Sequence, residues 1–185
     1  MDNDRHETPS LTYEETTFFG LFKISGWKSF KNWSIAYALI LTIIFFAIIM
    51  IINVPSIKTS EIIYVAKELS PLLLSAATGV FGIVIAALTI TISLFSEALL
   101  PKMLNTKLLH KYLFPFWKAV VLWAINIILS IFLTTFTLLK FNKFFLIESL
   151  LFLELFIFFY AVFYTIKLTG LVVQLALQKA QIIEK

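Results

Sequence analysis

The chain has 185 residues, 60% of them hydrophobic and only 14% charged, with 20 Phe and no Cys, whereas soluble domains carry about 25% charged residues. With a mean hydropathy of +0.94, this excludes a soluble globular protein; at roughly 20 residues per helical crossing, several membrane spans leave no room for a separate catalytic domain. The net charge of +4 would suit nucleic acid, but the basic residues flank apolar runs, so anionic lipid headgroups are the partner they indicate.

The first 19 residues, MDNDRHETPSLTYEETTFF, are acidic and lack the basic start of a cleavable signal peptide. Residues 18–33, FFGLFKISGWKSFKNW, interleave aromatic rings with Lys23, Lys28 and Lys31. Rings among headgroups and Lys reaching for phosphate make this an interfacial segment. Residues 1–33 together form a cytoplasmic N-terminal region.

Four apolar runs follow, Ser34–Val54, Leu72–Phe95, Ala119–Leu139 and Phe144–Ile166, each long enough to span. The expected fold is therefore all-α, an integral membrane protein with four transmembrane helices over residues 34–166. Residues 55–71 read as a moderate loop. Residues 96–118, bracketed by Pro101 and Pro115, read as a longer loop with one or two short surface helices, where Lys102, Lys107, Lys111 and Lys118 offer contacts to anionic lipid or to a partner. The four-residue link KFNK makes the third and fourth spans a tight antiparallel hairpin. Residues 167–185 continue the fourth helix as a cytoplasmic tail, with Leu171, Leu175 and Ile182 on one side and Gln174, Gln178 and Lys179 on another. That tail pairs with another chain or lies on its own neighbours; its pattern fits both.

Orientation follows from the basic residues. Arg5, Lys23, Lys28, Lys31, Lys102, Lys107, Lys111, Lys118, Lys167, Lys179 and Lys185 fall on one side, against Lys58, Lys67, Lys140 and Lys143 on the other. The richer side is cytoplasmic, which puts both termini inside and makes this a multi-pass membrane protein.

Polar groups within the spans are the informative ones, because lipid does not solvate them. In the second span Ser75, Gly79, Gly82, Ala86, Thr89 and Ser93 recur every three or four residues and form one small-residue stripe. Such a stripe allows close helix packing, or lines a pore if identical helices surround an axis. The third span carries Asn126, Ser130, Thr134 and Thr137 on one face. In the fourth, Glu154 lies about ten residues in from Phe144, roughly 15 Å deep, where a carboxylate needs a proton, a partner or water. Asn126 reaches similar depth, so Glu154 is expected to meet Asn126 between the two helices, with Ser130 and Thr134 beside them. Glu148 is expected at the interface near Lys140 or Lys143, and Tyr160, Tyr164 and Lys167 as an aromatic and snorkelling belt.

No phosphate-cradling loop, catalytic carboxylate pair or Ser-His-Asp spacing is present. His6 and His110 are far apart in polar flanks and do not suggest a metal site, and the spans show no internal repeat. The expectation is a non-enzymatic protein without cofactor or direct nucleic-acid contact, a homo-oligomer that senses or scaffolds for a cytosolic protein. The alternative is an ion channel or membrane-permeabilising effector lined by the second helix. A short chain with four spans, both termini inside and the helical tail LVVQLALQKAQIIEK resembles the small membrane subunits of bacterial antiphage-defence systems, the Kiwa membrane subunit among them. That resemblance implies an oligomeric inner-membrane platform paired with a cytosolic effector.

Overall fold

The computed structural model describes residues 33–52, 59–94, 108–139 and 144–183. They form four α-helices: α1 (Trp33–Ile52), α2 (Thr59–Leu94), α3 (Leu108–Leu138) and α4 (Phe144–Ile183). In hydrocarbon the backbone has no water to bond, so a helix, which satisfies its own N–H and C=O groups, is the form such apolar runs take. α2, α3 and α4 are long and apolar enough to cross a membrane. The apolar run of α1, Trp33–Ile49, is at the short end of what spans.

Two helices begin earlier than the apolar runs do. α2 has 36 residues, roughly 54 Å at 1.5 Å per residue, and passes through Pro71, while α3 starts at Leu108 and passes through Pro115. Residues 59–71 and 108–118 are thus helix rather than loop. Proline removes one backbone donor and crowds the carbonyl four residues back, and packing on either side outweighs that here: Ser70 and Leu73 flank Pro71, Phe114 and Phe116 flank Pro115, and all four are buried. α4 runs unbroken for 40 residues. The segments 1–32, 95–107 and 140–143, including Lys23, Lys28, Lys31, Lys102, Lys107 and the KFNK link, lie outside the described residues.

α4 packs against all three other helices, and α2 also packs along α3. Contacts between α3 and α4 run in opposite order along the two helices: Trp123 meets Thr165, and Ser130 meets Glu154. α1 turns Ser34, Ala38 and Thr42, a four-residue repeat of small side chains, inward. Aromatic pairs extend its contact with α4, Phe45 with Phe159 and Phe46 with Phe152. Two apolar clusters fill the interior. One gathers Ala38, Ala77, Val84, Ala119, Trp123, Ala161 and Leu168 around Tyr160 and Tyr164. The other gathers Ile62, Ala66, Leu73, Leu133, Ile147, Leu151 and Leu155. Along α3, Asn126 and Ser130 fall between the two.

α2 turns Ile62, Ala66, Ser70, Leu73, Ala77, Val84 and Thr91 inward. The stripe Ser75, Gly79, Gly82, Ala86, Thr89 and Ser93 is exposed throughout. Ser75, Gly79, Ala86 and Ser93 each lie two positions after an inward residue, which is about 200° around a helix of 3.6 residues per turn. Among the described residues, then, the stripe is not a packing seam; it faces almost directly away from the other three helices.

Candidate functional site: a buried polar junction of three helices

Glu154 of α4 is fully buried, as are Ser70 of α2 and Asn126 and Ser130 of α3. Ser130 Oγ donates a short hydrogen bond to Glu154 Oε1. Ser70 Oγ stands 3.1 Å from the same carboxyl oxygen and 3.1 Å from the Ser130 carbonyl oxygen, so its single proton goes to one or is shared. Thr134 Oγ1 donates to Ser70 Oγ at 3.3 Å, and Asn126 Nδ2 donates to the Glu154 backbone carbonyl at 3.0 Å.

Helix geometry explains why these groups meet. Asn126, Ser130 and Thr134 recur every four residues and share a face of α3. A helical side chain leans toward its own N-terminus, so Glu154 reaches back along α4 to the level of Ser130 while its carbonyl stays level with Asn126. Asn126 therefore bonds the backbone of Glu154, and the carboxyl is held by the two serines. Ser70 is the member that sequence reasoning places elsewhere, because the apolar run begins at Leu72 and residues 55–71 read as a loop; its signal is the inward repeat Ala66, Ser70, Leu73, Ala77. The junction gathers two hydroxyl donors onto one carboxyl oxygen. Glu154 Oε2 and Asn126 Oδ1 are buried without a hydrogen-bond partner.

A second polar group lies toward the opposite end of α4. Lys118 is buried, with Nζ 4.6 Å from the Tyr164 ring centre and 5.6 Å from that of Tyr160. Lys118 therefore does not offer an exposed charge to lipid, and Tyr160 and Tyr164, both buried, do not form a surface belt. The negative ring faces attract the ammonium. Nearby, Trp123 Nε1 donates to Thr165 Oγ1 at 2.9 Å. Lys111 lies in the first turns of α3, and Glu148 is half-buried on α4.

On the exposed face of α2 the hydroxyls of Thr78, Thr89 and Ser93 are bonded to their own helix. Thr78 donates to the Leu74 carbonyl at 2.7 Å, Thr89 to Ile85 at 3.1 Å and Ser93 to Ile90 at 2.8 Å. A Cβ added at Gly79 or Gly82 would meet nothing within 4 Å. Comparison of the chain with family models, with curated proteins and with solved structures gives no match.

Proposed function

We propose that this membrane protein self-associates through the outward face of α2 and acts, without catalysis of its own, as a sensor or scaffold for a cytosolic protein at a bacterial inner membrane. The observation that carries the reading is the small-residue stripe of Ser75, Gly79, Gly82, Ala86, Thr89 and Ser93, which none of the described helices covers. In lipid, helices associate by close van der Waals contact where side chains are small. The Thr89 and Ser93 hydroxyls already bond to their own backbone, so they can enter a dry interface without loss. That favours helix contact over a water-filled pore, where hydroxyls would be turned toward ions.

The placement of eleven of the 15 basic residues on one side supports a cytoplasmic partner and both termini inside. The resemblance to the Kiwa-type membrane subunits supports a role in antiphage defence, with the end of α4 as the point of engagement. The absence of Cys makes a direct test simple. Single cysteines at Ala86 and Ser93 should form disulfide-linked dimers in native membranes on mild oxidation, whereas one at Ile131, exposed on α3, should not. Equal cross-linking at all three positions, or none, contradicts the reading. Ion flux from liposomes holding the purified protein, abolished by Gly82→Leu, would instead establish conduction along an axis of α2 helices.

A further inference from the structure

The three-helix junction contains two oxygens that its own hydrogen bonds leave over. Glu154 Oε2 and Asn126 Oδ1 are both fully buried and unpartnered. With Glu154 ionised, both are acceptors only, and the hydroxyls of Ser70 and Ser130 serve the other carboxyl oxygen. Hydroxyl donors orient a carboxylate but bring no opposite charge.

Among the described side chains no basic residue supplies that charge. α1 holds no charged residue, and its one titratable group, Tyr37, is exposed. Lys67 and Glu68, just before Ser70 on α2, are exposed. α3 carries no charged residue from Ala119 to Leu138; Lys118, eight positions before Asn126, lies over the Tyr160 and Tyr164 rings. On α4 the flanking charges are Glu148, half-buried, and Lys167, exposed, six and thirteen residues from Glu154.

We propose that this junction binds one small monovalent cation, a proton or Na⁺, at Glu154. Oε2 and Asn126 Oδ1 are the oxygens available to it, and Ser70 and Ser130 hold Oε1 in place. A proton on Oε2 turns an acceptor into a donor and removes the charge. Na⁺ is a hard ion that takes carboxylate and amide oxygens and neutralises the same charge without protonation. Because Glu154 is bonded to α2 and α3 together, occupancy of this site sets how α2, α3 and α4 are held. The proposal does not depend on self-association.

Infrared spectroscopy of the full-length protein in lipid, with Glu154→Gln as the reference, tests it. The wild-type-minus-variant spectrum is expected to contain the carbonyl band of a protonated acid at the acid end of a pH series, converting to carboxylate bands at the alkaline end. If Na⁺ is the ligand, the same conversion occurs at fixed pH on adding Na⁺ and not on adding choline. Ser130→Ala, which retains the acid but removes a donor, should shift the band and so assign it should Glu154→Gln not assemble. A carboxylate at every pH with no response to Na⁺, or a protonated acid indifferent to both, overturns the proposal.

Discussion

Glu154 illustrates what a single side chain contributes in this fold. An ionised carboxylate at mid-bilayer costs about 3 kcal/mol on insertion scales, and the junction offers it hydroxyls from two helices. Glu154→Gln keeps the shape and an acceptor for both serines, so its stability in detergent should stay within about 1 kcal/mol of wild type. Glu154→Leu strands the Ser70 and Ser130 hydroxyls and should cost about 1–3 kcal/mol; equal loss from both variants in a denaturation series would contradict a role confined to holding the helices. At Lys118, Lys118→Met retains the stem and removes the buried charge, and should change stability by less than about 2 kcal/mol. Tyr164→Ala removes a buried ring and should cost about 3–5 kcal/mol. The reverse order of these two in a melting experiment would show that the ammonium and not the ring organises that end of α4.

At the scale of the helix, α2 carries two faces that look alike in sequence and differ in the structure. Ala66, Ser70 and Ala77 line the inner face, and Gly79, Gly82 and Ala86 the outer. A soluble amphipathic helix reveals its inner face by contrast with a polar outer one; in lipid both faces are apolar, so periodicity finds stripes but not which one turns inward. The same absence of contrast hides helix starts. Residues 55–71 and 96–118 read as loops, and the helices nonetheless run through Pro71 and Pro115 among buried neighbours. The pairing of α3 with α4 is more legible, from an amide and a carboxyl at matching depth, although Asn126 bonds the Glu154 backbone and the carboxyl is held by Ser70 and Ser130. The serine from α2 is not legible in that way, since it sits beyond an apparent helix end. The difference between the faces can be tested: Ala77→Leu, in a site with 0% exposure, should cost about 1–3 kcal/mol by overpacking. Gly79→Leu meets open space and should leave the stability of a single chain unchanged or raised. Equal destabilisation by both would mean that the outer face is covered by the chain's own helices.

For the molecule as a whole, four helices bury a modest interior and leave a large apolar exterior. Exposed Leu72, Ile83, Ile128 and Phe132 are ordinary for surfaces that meet lipid tails. Against that exterior the small-residue stripe of α2 is distinct, because it gives lipid little to grip and gives another helix backbone room to approach. Orientation is a property of the same scale: reporters fused after residue 185 and within residues 53–58 should report opposite sides of the membrane, the first cytoplasmic, and the reverse assignment would remove the case for a cytosolic partner. Self-association through α2 is the central claim, and native mass spectrometry of the full-length protein released from lipid tests it most directly. Wild type should appear as a multiple of 21.2 kDa, and Gly79→Leu with Gly82→Leu should reduce it to the single-chain mass while leaving its fold intact. A wild-type protein found only at the single-chain mass, or an oligomer indifferent to both substitutions, would contradict the account.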